Sequence, residues 1–298
     1  MSSRFQDMKE RLEQLTDSKE REVARRYARL LRDIQQLISK RFEKYEKDGQ
    51  LTYEEMVKYD RLKKLQDEIV KVVNAQETGM RNVIYAHLSD QYKEAYYRTG
   101  HIFETEALAM LGYSAVKDEV VDEIINTDFT GLTLNERLSR RRGELIMNMR
   151  ETITRGLREG QTYRSMSRLI QDELEIDRSK AQRIVRTESH RVRESASLES
   201  AKHAQKKGIV MMKTWNTVSD SRVRDSHDDL GGKKVEKVDG TFNVGGMEAE
   251  MPSDASLPAS ESINCRCFIT YEIQRVEKPQ HDELADLSYD EWRAERLG

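Results

Sequence analysis

Proline is absent from the first 251 residues of this 298-residue chain, where it would break helix interiors; the three prolines are Pro252, Pro258 and Pro279. That absence leaves the long N-terminal part free to form long helices. Cysteine is nearly absent as well. Cys265 and Cys267 are the whole complement, which excludes a disulfide scaffold and points to a reducing or sealed compartment. No run approaches the roughly 18 apolar residues of a membrane span. The start, MSSRFQDMKERLEQL, lacks the apolar core and small-residue cleavage site of a secretory signal. Neither charge sign dominates: the net charge is −3 and the pI about 6.2, so no global basic field advertises nucleic-acid binding. What remains is 35% charged and 37% hydrophobic, too polar for a membrane protein and too apolar for disorder. The length suits one large domain or two ordinary ones.

Residues 3–47 carry an amphipathic stripe. Phe5, Met8, Leu12 and Leu15 step by three and four, and Val23, Tyr27, Leu30, Ile34 and Leu37 resume that stepping. The polar stretch Thr16–Glu22 between them predicts a break or bend. Asp48-Gly49 is a turn signal, and Thr52 with Glu55 is a capping-box pattern opening a second long helix. The pair reads as an antiparallel hairpin whose seams need a neighbour. Shorter helices are expected over 80–130, separated at Gly100, at 111–114 and at 128–131. Tyr85, Tyr92, Tyr96, Tyr97, Phe103 and Tyr113 cluster there as core. Thr133 with Glu136 caps a helix to about Gly160, Thr162 caps one to about Leu174, and Asp177 or Ser179 starts another to Gly208. Short strands are expected at Met211–Trp215 and Phe268–Ile273. Between them lies a loop-rich segment without period that holds five of the fifteen glycines, from Gly231 to Gly246. The predicted class is mostly α with a smaller α+β C-terminal domain and an extended helical N-terminal half. The predicted divisions are a helical arm at 1–130, a compact domain at 131–275 and a weakly ordered acidic tail at 276–298, with Trp292 as its one anchor.

Three segments carry chemistry. Residues 137–196 hold fifteen Arg or Lys against nine Asp or Glu, a local +6 that leaves −9 for the rest. Arg140, Arg141 and Arg142 are its densest run. Such asymmetry suits a phosphate backbone read without sequence preference, or a solvated helix face with internal ion pairs. The run Arg183–Ala196 reads as an amphipathic helix, with Arg186, Thr187, Glu188 and His190 on its polar side. Asp220, Arg222, Arg224, Asp225 and His227 are crowded into eight positions ahead of a loop of about 50 residues, unusual unless something fixes it. Cys265-x-Cys267 puts two sulfurs on one side of an extended backbone. One version of the fixing is zinc held by His190, His227, Cys265 and Cys267. The other needs no cofactor: Glu188 pairs with Arg222, Arg224 or Arg266. A metal-dependent hydrolase or nuclease built on Asp220, Asp225 and His227 is the alternative from another class. Arg222 and Arg224 beside the carboxylates count against it.

Taken in order, Arg186-Thr187-Glu188, Trp215, Asp220, Arg222, Arg224, His227, Pro252, Asp254 and Asn264–Cys267 resemble the phage minor head protein family typified by the Mu F protein, the phage head morphogenesis proteins. The resemblance covers about 145–273. One departure is His227-Asp228-Asp229-Leu230-Gly231-Gly232, where relatives more often have H-x2-L-D-G. The resemblance implies a non-enzymatic structural protein, present in few copies inside the virion head near the portal and in host cytoplasm during assembly. Its implied partners are the portal, scaffolding and major capsid proteins, and double-stranded DNA at packaging or delivery. No membrane is implied. The domain also occurs joined to toxin domains, including ADP-ribosylating ones, and no room for a second catalytic module is expected here. The 1–130 arm is assigned to portal or scaffold contact by position alone.

Overall fold

The computed structural model describes residues 3–218 and 220–298. It is mainly helical. Helix α1 spans Ser3–Tyr45, α2 Tyr53–Val57, α3 Arg61–Ala107, α4 Asp118–Asn126, α5 Leu134–Arg158 and α6 Tyr163–Lys206. Strand β1 (Ile209–Asn216) follows, then α7 (Asp225–Asp228), β2 (Lys234–Val235), β3 (Phe242–Val244), β4 (Met247–Ala249), α8 (Ala259–Ser262), β5 (Phe268–Val276) and α9 (Tyr289–Leu297). Two compact units result. One comprises residues 1–17, 85–134 and 185–298, and the other residues 18–84 and 135–184. Neither is a contiguous stretch, because α1, α3 and α6 contribute to both, so the divisions at 130 and 275 do not map onto them one to one.

Three breaks expected from sequence are not there. Helix α1 runs for 43 residues straight through Thr16–Glu22. That stretch holds no helix breaker, and it keeps the stripe by burying Thr16, whose hydroxyl donates to the Leu12 carbonyl (3.1 Å) and accepts from Gln91. The helix α3 passes through Gly100. This glycine marks a close approach, since a Cβ there would lie 2.9 Å from the Tyr113 ring. Helix α6 continues through Asp177 and Ser179 for 44 residues. Asp177 is a buried charge inside the helix and not a cap. A fourth difference is at Thr52, whose hydroxyl accepts from Glu55 N (3.3 Å) but caps only the one-turn α2. The left-handed Tyr59 and Asp60 separate α2 from α3. The expected cap at Thr162 holds: its hydroxyl accepts from Ser165 N.

The unit of 18–84 and 135–184 is built on apolar seams: Val23, Tyr27, Leu30, Ile34 and Ile38 of α1, Leu65, Ile69 and Val73 of α3, Leu145, Met149 and Ile153 of α5, and Met166, Ile170 and Leu174 of α6. At one level the seam is ionic. Arg141, 3% exposed, pairs with Glu77 and with Asp177, and Tyr27 donates its hydroxyl to Asp177. Burial pushes the Asp177 carboxyl above its ordinary pKa. Arg141 is therefore a core residue of this unit, which removes it from the run expected to meet DNA. Arg140 remains exposed, with a 3.3 Å ion pair to Glu144, and Arg142 is half-buried.

In the other unit β1 pairs antiparallel with both β2 and β5, and β3 pairs with β4 as a separate hairpin. The expected strands are thus present and joined to each other, with Trp215 opposite Ile269. The tail is anchored at Trp292, as expected, and in addition folds into a capped helix. Ser288 and Glu291 form a capping box at the start of α9, and Trp292, fully buried, donates its indole N–H to Glu104 (2.7 Å).

The Arg141 cluster yields a measurable expectation. Arg141→Ala leaves two buried carboxylates without their cation, and the unfolding free energy in urea should fall by about 3–5 kcal/mol. A loss below about 1 kcal/mol, the scale of a surface pair, would contradict the reading.

Candidate functional site

The site lies in the unit of 1–17, 85–134 and 185–298, around the second half of α6. From Thr187 to Leu198 every residue of that helix is buried. The sequence expectation of a polar, solvated side is therefore wrong here, and the polar side chains face other parts of the chain. Thr187 accepts a hydrogen bond from Asn264 N (3.4 Å). His190 donates Nε2–H to the Cys267 carbonyl (2.7 Å) and meets the Ser253 hydroxyl at Nδ1 (3.0 Å). Arg191 pairs with Glu188 (2.9 Å) and donates to the carbonyls of Ile124 and Ile125. Glu194 pairs with Arg193 and accepts from Ile269 N (3.2 Å). Arg186, one step before this segment, is exposed.

The long segment between β1 and β5 is held by more than its ends. Leu230, Val238, Phe242, Val244, Ala249, Met251 and Leu257 are all buried, so apolar packing fixes the segment as well as polar contacts. The β3–β4 hairpin supplies strand pairing where none was expected. Lys213 is the residue that the sequence reading missed. It sits on the inward face of β1 with Ile209, Met211 and Trp215, has no exposed surface, and donates to the carbonyls of Val238 (2.7 Å) and Glu250 (2.8 Å). Burial pushes its pKa down to about 8. Its signal was positional: a lysine in phase with the apolar alternation of a strand. Asp254 adds a turn by accepting from Glu250 N and Ser256 N.

The motif residues after β1 converge in one place. Trp215 is fully buried, with its ring edge-on to His227 (5.7 Å) and to Phe242 (5.3 Å). Arg224 donates to the Ile263 carbonyl (2.6 Å). Arg266 grips Asp220 with two 2.6 Å hydrogen bonds, and the exposed Arg222 joins from the other side. Asn264 takes a left-handed φ of 58°, which turns the chain into the two cysteines. One ion pair of this loop forms within it, at Asp220, and another reaches it from α6, Lys202 to Glu250 (2.8 Å), while Glu188 pairs with Arg191 on its own helix. Asp225 is exposed at the start of α7. With Asp220 bound to Arg266 and Asp225 turned outward, the residues of the hydrolase alternative do not converge.

His227 lies between the cysteines and an acid. Its Nδ1 is 3.5 Å from Cys265 Sγ and 3.4 Å from Cys267 Sγ, and its Nε2 donates to Glu261 (3.0 Å). All three of His227, Cys265 and Cys267 are buried. Hydrogen bonding from Cys267 pulls the Cys265 thiol well below its ordinary pKa, while the same contact raises Cys267. His190, expected from sequence in the same set, is 77 residues from Cys267 in sequence and bonds to its carbonyl, not its sulfur.

Comparison with known proteins places the chain in a family. Residues 147–270 match the family described as phage Mu protein F like protein. The minor head protein GP7 of Bacillus phage SPP1 is 30% identical over 294 residues, covering 96% of this chain and 95% of the relative. A protein of Enterococcus faecalis named NAD(+)--arginine ADP-ribosyltransferase EFV is 28% identical over 267 residues, 87% of this chain but 54% of that protein. The chain therefore spans about half of the second relative. No solved structure matches. The chain belongs to the phage Mu F-like minor head protein family, whose place is in the phage head. Among the described residues no helix is long and apolar enough to cross a membrane.

The Asp220–Arg266 pair carries a pH signature. Arg266, with Arg222, holds the Asp220 carboxyl well below the usual carboxylate range. A lowered folded-state pKa gives stability that is present above the unfolded value, about 3.9, and lost as pH falls through the folded value. The stability gap between wild type and Asp220→Asn in urea titrations should therefore be constant at neutral pH and close below about pH 4. A gap that persists unchanged into strong acid would contradict the pairing.

Proposed function

We propose that this protein is a non-catalytic minor component of a tailed-phage head that joins the portal during prohead assembly, alongside the scaffolding and major capsid proteins. The observation that carries the reading is the 30% identity to a minor head protein across nearly the whole of both chains. The match extends beyond the Mu F-like residues 147–270 and takes in the helical hairpin of α1 to α3. The geometry supports a structural role: the polar residues of the shared motif are spent on holding chain segments together. In the unit of 18–84 and 135–184, the hairpin tip presents Val57 and Tyr59, 51% and 79% exposed, beside the kink before α3. We assign portal contact to this tip. Contact with DNA would fall to the exposed arginines of α5, such as Arg140, and not to Arg141.

Cosedimentation of the full-length protein with its own portal oligomer tests the reading. Wild type should sediment with the portal, and Val57→Ser with Tyr59→Ser should weaken binding about tenfold or more, the loss of roughly 1.4 kcal/mol or above. Absence of wild-type binding would reject portal association. Unchanged binding of the double variant would reject the tip as the contact.

A further inference from the structure

We propose that His227, Cys265 and Cys267 hold one zinc-class divalent ion through Nδ1 and the two sulfurs, with a water in the fourth position. Ligand spacing is the first support. Tetrahedral bonds of about 2.3 Å to sulfur and about 2.05 Å to nitrogen put those atoms about 3.5 Å apart. The separations here are 3.5 Å and 3.4 Å, and all three ligand atoms lie within 4.8 Å of one another. Hydrogen bonding alone accounts poorly for the arrangement. With Nε2–H donated to Glu261, Nδ1 offers a single in-plane lone pair, yet two sulfurs approach it at nearly equal distance. A cation at their centre satisfies all three at once.

The surroundings fit the same ion. Glu261, itself held by Ser226, binds the far nitrogen of His227, the arrangement that orients a metal-ligating imidazole. The buried indole N–H of Trp215 finds no oxygen or nitrogen acceptor and lies against Cys267. Charge balances too: two thiolates and a neutral imidazole offset a divalent ion, so the ion and its three ligands carry no net charge together. Two sulfurs and a nitrogen select a thiophilic ion over calcium or magnesium, which demand oxygen ligands. The ligand set differs from the four-residue one read from sequence. His190 has both ring nitrogens engaged elsewhere, at Ser253 and the Cys267 carbonyl. Among the described residues no fourth His, Cys, Asp or Glu atom completes the group. The ion would clip α7 to the segment running from α8 into β5, so binding energy would add to folding energy.

The test uses full-length protein purified without a metal-binding tag. Elemental analysis should find about one zinc per chain. Replacement by cobalt should give the thiolate-to-cobalt charge-transfer absorption of a tetrahedral site, and Cys265→Ser should lose both. Because that variant could fail to fold, two others keep the proposal exposed to refutation. Glu261→Gln should keep the stoichiometry but bind about 10–100-fold more weakly. His190→Gln should keep the cobalt spectrum unchanged. Metal-free wild type whose free thiols give no thiolate band on cobalt titration overturns the proposal. Loss of the spectrum in folded His190→Gln overturns the three-residue ligand set.

Discussion

A helix segment that is rich in polar residues and yet buried on every side, Thr187–Leu198, is the constraint on which one half of this protein depends. Buried polar groups without partners cost on the order of 1–3 kcal/mol each. The segment is tolerable because its charged and ring side chains reach specific partners. Thr187 takes a backbone amide just before the cysteines, His190 a carbonyl between them and β5, and Glu194 the second amide of β5. Arg191 ties down the end of α4 through two carbonyls. Further bonds follow from the same helix: Ser189 to His87, Ser197 to Thr99, and the Ser200 carbonyl to Tyr113. A polar helix thus acts as a template on which irregular chain is laid down. This gives the ordered family pattern a physical meaning: several of its residues are spaced by what the loop backbone requires.

The other half solves a related problem with one buried cation. Its seams are apolar along four helices, and Arg141 interrupts them at a single level with Glu77, Asp177 and Tyr27. Buried ion pairs are weak sources of net stability and strong penalties when broken. The cluster is therefore best understood as fixing the register of α1, α3, α5 and α6 within this unit, since any axial slip of one helix would separate the charges.

Much of the architecture was legible in the sequence. The proline-free run, the helical stripes, the turn at Asp48-Gly49 and the two strands all follow from local rules, and the structure keeps them. The misreadings share a cause. Local rules read polar residues as a break at Thr16–Glu22, as a helix start at Asp177 and as one side of an amphipathic helix along Arg183–Ala196, because they assign polarity to helix ends and to solvent. Each of these places instead holds a polar residue bonded to a distant part of the chain, and distant pairing leaves no local trace. Glycine reads as a stop at Gly100, where it serves to admit the Tyr113 ring. The candidate site was half visible. Nearness of the cysteines to His227 was expected from the crowding of unusual residues. The partnership of Asp220 with Arg266, the seat of Glu261 behind His227 and the role of Lys213 depend on how the loop folds back, which composition does not encode.

The central claim is that the polar face of α6 holds the returning chain in place. Amide hydrogen exchange across 264–276 in Glu194→Ala, compared with wild type, measures it most directly. The account predicts that removal of the Glu194 carboxylate, which receives Ile269 N–H, strips protection from the start of β5 and spreads toward Asn264, while the unit of 18–84 and 135–184 keeps its protection. Unchanged protection at Ile269 and its neighbours in a folded Glu194→Ala protein would contradict it.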